Sequence, residues 1–305
     1  MIYTLTLNPS IDYIVQLDTE LKIGELNRSQ REMKFPGGKG INVSRVLQRM
    51  GLESKALGFI GGFTGQYIEN YLAIEKIGID FVQISDDTRI NIKLKDGQET
   101  EINGNGPTIH EEAINELLNK IKKLTKEDLI ILSGSIPSSL PTNIYEEIIN
   151  NCMETGTEFI VDVGGELLKN VISFRPFLVK PNHHELGDLF QKKLHTAEEV
   201  LPYAKELVKM GAQNVIVSLA GEGAVFVNKT SAYKATVPKG EVKSSVGAGD
   251  SMVAGFLAKY VQTNDVEKSF KYSVASGSAT AFSLDLCTKE SVENLLNEVV
   301  ITTFK

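Results

Sequence analysis

The chain has 305 residues, 42% hydrophobic and 23% charged, the make-up of a globular protein long enough for one large or two ordinary domains. Its formal net charge of -7 argues against non-specific nucleic-acid binding, which needs a basic face, but leaves room for a small anion held by local cations. Two cysteines, Cys152 and Cys287, cannot build a disulfide framework, and with no basic leader at Met1–Asn8 and no membrane-spanning apolar run the expected location is the cytoplasm.

Short β-branched runs alternate with helix-patterned ones. The first strand is expected over 2–7. Asp12 follows Leu7-Asn8-Pro9-Ser10-Ile11, where a carboxylate can accept from vicinal sugar hydroxyls or stand as a solvated loop residue. Residues 12–35, with Arg28, read as an extended segment of alternating polarity. The glycine cluster Pro36-Gly37-Gly38-Lys39-Gly40-Ile41-Asn42 then leads into a helix marked by Val43, Val46, Leu47 and Met50. Its glycines permit close backbone approach, Lys39 can face an anion and Asn42 can bind a hydroxyl. The spacing is not that of a Walker loop, and a plain turn into a helix explains the pattern equally well.

A strand over 55–60 and a helix over 65–77 follow. Residues 88–103 alternate again, with Arg89, Asn91 and Lys93, and Lys95-Asp96-Gly97-Gln98 forms a hairpin turn. Guanidinium forks suit phosphate oxygens. The segments 12–35 and 88–103 are expected to form a small antiparallel lid whose Arg28 and Arg89 face one cleft. Helices over 111–124 and 142–153 and strands over 129–132, 159–163 and 177–180 come next. In Asn182-His183-His184-Glu185, Asn182 and Glu185 share a helical face and can hold Mg²⁺ through water. The adjacent histidines diverge and lack a third ligand, which excludes zinc. His110 and His195 have no partner in sequence and read as surface residues.

A helix over 198–210 and a strand over 215–219 lead to Ser218-Leu219-Ala220-Gly221-Glu222-Gly223, which can border a nucleotide or simply form a β-turn. The most informative stretch is Val246-Gly247-Ala248-Gly249-Asp250, opening a helix over 251–260. Glycine amides at a helix start make a phosphate seat. A carboxylate beside that seat suggests a general base for phosphoryl transfer to a hydroxyl, although Asp and Gly also suit an ordinary helix start. The helix start is expected to depress the pKa of Asp250.

The alternation predicts an α/β fold over residues 1–305 as one domain, with a mainly parallel sheet covered on both faces and ligands beyond the strands' carboxyl ends. A nucleotide-binding dehydrogenase would share that alternation. Here, however, the first strand is not followed by Gly-x-Gly-x-x-Gly.

Gly-Gly-Lys-Gly-Ile-Asn at 37–42, Asn-His-His-Glu at 182–185 and Gly-Ala-Gly-Asp at 247–250 resemble, in this order and over nearly the whole chain, the signatures of the PfkB (ribokinase-like) carbohydrate kinases. Residues 6–12, 36–47 and 88–94 are similar to the branch that phosphorylates D-fructose 1-phosphate at its 6-hydroxyl, with the branch acting on the 1-hydroxyl of tagatose 6-phosphate nearby. The resemblance implies a three-layer α/β/α domain with a β-sheet lid, a homodimer through that lid, ATP and Mg²⁺. It implies that Asp250 deprotonates the sugar hydroxyl while the N–H groups of Gly247, Ala248 and Gly249 hold the transferring charge. Asn182 and Glu185 would order Mg²⁺ and its waters. Lys180, Asn182, Ser218, Gly221, Gly223, Gly247 and Gly249 would line the ATP. Asp12, Gly38 and Asn42 would grip the sugar hydroxyls, and Lys39, Arg28, Arg89 and Ser135 would hold the phosphate already present. Many family members carry no lysine in the first glycine cluster, so Lys39 favours a sugar phosphate over a free sugar. A non-catalytic sugar-phosphate sensor would have no need of Asp250.

Overall fold

Ile130, Ile131 and Leu132 follow one another with no exposed side chain, so both faces of their strand must be covered, as in a parallel sheet. The computed structural model describes residues 1–304 and supplies those covers. The chain begins β1 (Ile2–Thr6), β2 (Ser10–Leu17), β3 (Ser29–Gly37), α1 (Lys39–Arg49), β4 (Ser54–Gly61), α2 (Gly62–Ile74), β5 (Gly78–Ile79), β6 (Val82–Ile84), β7 (Arg89–Lys95), β8 (Glu99–Asn103) and α3 (Glu111–Ile121). It continues β9 (Leu129–Ser133), α4 (Ile144–Thr155), β10 (Glu158–Asp162), α5 (Gly165–Val171), β11 (Leu178–Val179), α6 (His183–Phe190), α7 (Ala197–Met210), β12 (Asn214–Ser218), β13 (Ala224–Asn228), β14 (Ala232–Ala235), α8 (Ala248–Thr263), α9 (Val266–Ala281), α10 (Lys289–Leu295) and β15 (Ile301–Thr303).

The main sheet runs β15-β14-β13-β12-β11-β10-β9-β1-β4-β5, with β6 also beside β4. From β12 to β4 the strands are parallel, and β13 to β15 add antiparallel at one edge. Ile130 and Leu132 join a core with Leu117, Ile148 and Leu207 of α3, α4 and α7. Ile131, between them, joins a second core with Val46, Phe256 and Phe270 of α1, α8 and α9. Period-two side-chain direction thus builds the three-layer α/β/α arrangement expected from the sequence. Among the described residues no helix is long and apolar enough to cross a membrane.

The lid is a separate sheet of order β3-β2-β7-β8. Both hairpins, β2/β3 and β7/β8, are antiparallel, but β2 and β7 pair in parallel, with Ser10 opposite Arg89 and Asp12 opposite Asn91. The expected wholly antiparallel lid is therefore corrected. Each hairpin leaves the body and returns to it, so the two outbound strands meet pointing the same way.

Helix starts also differ from the pattern. The apolar run 251–260 is only the core-facing part of α8, which begins at Ala248, so the glycine stretch is the head of the helix itself. Gly58 of β4 lies opposite Thr6 of β1 with φ of 145°, and a Cβ there would sit 2.0 Å from the Thr6 carbonyl oxygen. Neither strain nor clash can relax inside a parallel ladder. Gly58→Ala is expected to destabilise the fold by about 3 kcal/mol or more, read from the denaturant midpoint at unchanged slope.

Candidate active site

Strand order reverses at β1, whose neighbours β4 and β9 lead away in opposite directions. Open α/β sheets bind ligands at such a point, beyond the carboxyl ends of the strands. Here a cleft of 1270 Å³ lies there, and Thr6, Ser133, Asp162, Lys180 and Ser218, all at or just past strand ends, line it.

Two helices point their N-termini into this cleft. α8 starts after Gly247, whose φ of 75° is left-handed, and no side chain caps it. The Ala248 N–H donates to the Ser245 carbonyl at 3.3 Å, while the Gly249 and Asp250 N–H groups have no intrahelical partners and remain available to an anion. A Cβ on Gly249 would lie 2.8 Å from Lys180 Nζ, so any other residue there would push the end of that side chain away from the helix head. Asp250 stands in the same first turn, 6% exposed. Asn42, in the first turn of α1, donates its Nδ2 proton to Asp250 Oδ2 at 2.8 Å.

A second carboxylate lies close by. Asp162 ends β10 and is 1% exposed. Its Oδ1 is 3.3 Å from Lys39 Nζ and 3.6 Å from Lys180 Nζ, while its Oδ2 is buried with no partner. Burial alone would raise the Asp162 carboxyl, but Lys180 and Lys39 outweigh it and hold it below the usual carboxylate range. Lys39 is held above the usual lysine range, first by Asp162 against the cost of burial, then by Asp250 and Glu185.

Asp250 moves the other way. Burial first, then repulsion from Asp162, raise its pKa to about 6 against Lys39, the Asn42 bond and Lys180. The expected depression by the helix start is corrected: a helix terminus contributes at most about 2 kcal/mol, and desolvation beside a second anion exceeds that. A carboxylate near 6 is also a better-matched base at neutral pH.

The lid carries the opposite wall. Asp12 accepts from Ser10 Oγ at 2.9 Å and Asn91 Nδ2 at 3.2 Å, and pairs with Lys93 Nζ at 3.2 Å. It thus lies within strand β2 of the lid, held from β7. Arg89 donates through Nη1 to the Gly104 carbonyl and through Nη2 to the Asn8 carbonyl, both at 3.0 Å. Its Nε is buried and without a partner, as is Asn8 Oδ1.

Asn182 and Glu185 line the cleft but do not share a helical face. Asn182 is the N-cap of α6, accepting from the Glu185 N–H at 2.9 Å, while Glu185 Oε2 accepts from the Asn182 N–H at 2.8 Å. This reciprocal cap fixes the pair and engages one Glu185 oxygen. Among the described residues no group of three or more His, Cys, Asp or Glu side chains could hold a metal ion. Two carboxylates in the cleft, Glu185 and Asp162 with its unpartnered oxygen, nevertheless fit Mg²⁺, which keeps most of its waters and takes one or two carboxylates plus substrate phosphates.

Of the sequence-predicted site residues, Asp12, Gly38, Lys39, Asn42, Arg89 and Ser135 line the cleft. So do Lys180, Asn182, Glu185, Ser218, Gly221 and Gly223, together with Gly247, Ala248, Gly249 and Asp250. Gly223 also meets a packing need, since a Cβ there would lie 2.0 Å from the Ala235 carbonyl oxygen. Arg28 is the exception. It is exposed in the segment between β2 and β3 and is not among the residues lining the cleft. Its expected place beside Arg89 is not found in this cleft: the segment it ends reaches instead to the tip of the β7/β8 hairpin, where the Leu21 N–H donates to the Asp96 carboxylate at 3.0 Å. Asp162 was missed, because an acidic residue next to the end of the run Phe159–Val163 reads as a strand terminus. The signal was present in its position on an otherwise buried strand.

Residues 5–291 match the model of the pfkB family carbohydrate kinases. The chain belongs to this family. The 1-phosphofructokinase of Bacillus subtilis is 51% identical over 302 residues, covering 99% of both chains. The D-tagatose-1-phosphate kinase of Bacillus licheniformis is 38% identical, again over 99% of both. The crystal structure of phosphofructokinase-2 from Escherichia coli in complex with substrates and products superposes with a TM-score of 0.92 at 29% identity, covering 97% of this chain and 98% of that one. The protein is therefore an ATP-dependent sugar kinase.

If this kinase uses Asp250 as its base, kcat/KM should fall as pH drops through about 6, one proton per site, in a steady-state pH profile. The same carboxyl bears on stability. Its folded-state pKa of about 6 lies above the ordinary 3.8, so its contribution is fully present below pH 4 and is lost as pH rises through 6. Asp250→Asn should consequently raise unfolding free energy at pH 7 by on the order of 2 kcal/mol, measured by chemical denaturation.

Proposed function

We propose that this kinase transfers the γ-phosphoryl group of ATP to the 6-hydroxyl of D-fructose 1-phosphate, giving fructose 1,6-bisphosphate and ADP. The observation that carries this reading is the buried Asp250 carboxylate, bonded by Asn42 and seated at the open head of α8. The likeness to the 1-phosphofructokinase of Bacillus subtilis supports the choice of sugar.

Asp250 takes the proton of the attacking hydroxyl as the new O–P bond forms. The bond from the γ-phosphorus to the β,γ-bridging oxygen breaks, ADP leaves with that electron pair, and Asp250 ends protonated. A loose transition state demands little proton transfer early, so the rate comes mainly from alignment and charge neutralisation. The first-turn N–H groups of α8, with Lys180 against Gly249, would receive the charge on the transferring oxygens. Mg²⁺, held through water by Glu185 and Asp162, would supply charge neutralisation at the ATP phosphates. Asp12, Gly38 and Asn42 would orient the sugar hydroxyls, and Lys39, Arg89 and Ser135 would meet the phosphate already on the sugar.

A tagatose phosphate is the second reading, favoured by the Bacillus licheniformis relative. We further propose a homodimer through the lid. The lid face opposite Asp12 carries Tyr13, Val15, Ile90, Ile92, Leu94 and Ile102, of which Ile90 is 39% and Ile102 59% exposed. A second copy of this apolar face would cover it.

An ADP-release assay should give fructose 1-phosphate a kcat/KM at least about tenfold above tagatose 1-phosphate or tagatose 6-phosphate and far above free fructose. Equal turnover of free fructose would remove the role of the phosphate-facing cations. Asp250→Asn should lower kcat by about 10³-fold with ATP affinity within about threefold, the signature of a lost general base. Lys39→Ala should raise KM for the sugar phosphate at least about tenfold while changing ATP affinity much less. An unchanged sugar-phosphate KM would exclude the anchoring role.

A further inference from the structure

Behind the active site lies a partly buried cluster of four charged side chains, centred on the buried Arg45, that the chemistry does not use. Arg45 and Arg49 stand one turn apart on α1. The Arg45 side chain is 1% exposed. Its Nε and Nη2 donate to the two Glu75 oxygens at 2.9 and 3.0 Å, and its Nη1 and Nη2 donate to the two Asp285 oxygens at 3.1 and 2.9 Å. Arg49 repeats the pattern, reaching Glu75 at 3.0 Å and Asp285 at 2.7 Å, and its Nη1 donates to the Leu286 carbonyl at 2.5 Å. Two positive and two negative groups balance. Burial would discharge Arg45, but Glu75 and Asp285 keep it charged above the ordinary arginine value.

What the cluster holds is the segment after α9. Leu286 is buried, and its Cδ2 lies 2.5 Å from where a Cβ on Gly247 would stand. It therefore backs the left-handed residue that starts α8. Asn42, one turn before Arg45 on the same helix, bonds Asp250 on the cleft side of that start. α1 thus grips the head of α8 from both sides, by Asn42 in front and by Arg45 and Arg49, through Asp285 and Leu286, behind.

We propose that Arg45 is a positioning residue for phosphoryl transfer, which fixes the anion-binding turn Gly247–Gly249 by holding Asp285 and, through it, Leu286 against Gly247. The inference rests on the proposed role of that turn. A bidentate guanidinium at two carboxylates sets both distance and angle, which a lysine cannot do. No member of the cluster lines the main cleft, although Arg45 and Asp285 share a small cavity with Asp12, Asn42 and Lys93, so its loss should act on the alignment of the turn and leave ATP contacts in place.

The test compares wild type, Arg45→Met and Leu286→Ala, with Leu207→Ala of α7 as a destabilised control remote from the turn. The readouts are steady-state kinetics with fructose 1-phosphate and hydrogen exchange of the amides over residues 246–252. Arg45→Met and Leu286→Ala should each lower kcat about 10- to 100-fold, the scale of an ångström-sized misplacement, with KM for ATP within about threefold. Both should speed exchange over 246–252, whereas Leu207→Ala should do neither at temperatures where it is folded. If Arg45→Met fails to fold, Leu286→Ala, which keeps all four charges, decides the question. Unchanged kcat or unchanged exchange over 246–252 in Leu286→Ala overturns the proposal. A wild-type protein inactive on fructose 1-phosphate would instead overturn the substrate reading; the kinetics would then be read with whichever sugar phosphate it does turn over, and the exchange result stands by itself.

Discussion

Two carboxylates share the bottom of this cleft, and the two lysines near them both pair with only one. Lys39 and Lys180 converge on Asp162 Oδ1, whereas Asp250 receives a neutral amide from Asn42. Charge and proton affinity are divided accordingly. Asp162 is ionised by its cations, and the uncompensated Asp250 is lifted towards neutrality by burial and by its ionised neighbour. A carboxylate paired directly with lysine would be too weak a base to take a hydroxyl proton. One left buried with no donor would stay protonated. Asp250 lies between those limits, as the proposed base must.

The scaffold makes that division without long-range coincidence. β1, β9 and β10 end side by side, which brings Asp162 next to the two glycine-led helices. Helices α1 and α8 pack on the same face of the sheet and share one core, including Val46 and Phe256. The Asn42–Asp250 bond therefore joins elements that hydrophobic burial has already placed together. Free energy from apolar packing far from the cleft, rather than contacts within it, holds a half-paired carboxylate out of water.

Much of this was legible in the chain. The apolar strands, the helices between them and the two glycine-led helix starts follow from spacing and from the backbone needs of an anion site. What escaped depends on tertiary context. Asp162 sits in a five-residue strand whose pattern fits an ordinary terminus, and only the neighbouring strand reveals its lysines. The pKa direction of Asp250 could not be read because the helix start is visible in sequence and burial is not. Asn182 and Glu185 are spaced as a helical pair yet serve as a cap, since Asn182 precedes the first helical residue. Arg28 lies in the connection 18–28, outside the two strands that the alternation over 12–35 marks, and where a connection runs is not a local pattern. The parallel pairing of β2 with β7 reflects where the hairpins are attached, which no local pattern records.

That attachment has a mechanical consequence. Both hairpins are rooted in the body at the end where β2 and β7 begin, and at the far margin the Lys95 side chain reaches the Lys243 carbonyl at 3.3 Å. Asp12 is two residues from Ser10 at the anchored margin, and Leu17 is seven. At strand rise the lever arms are roughly 7 Å and roughly 23 Å. Any rocking of the lid therefore carries the outer tip about three times as far as it carries Asp12. On such a lever the side chains near Asp12 would move least, and the reach of Lys95 to the body would be the first contact to give way as the rim lifted.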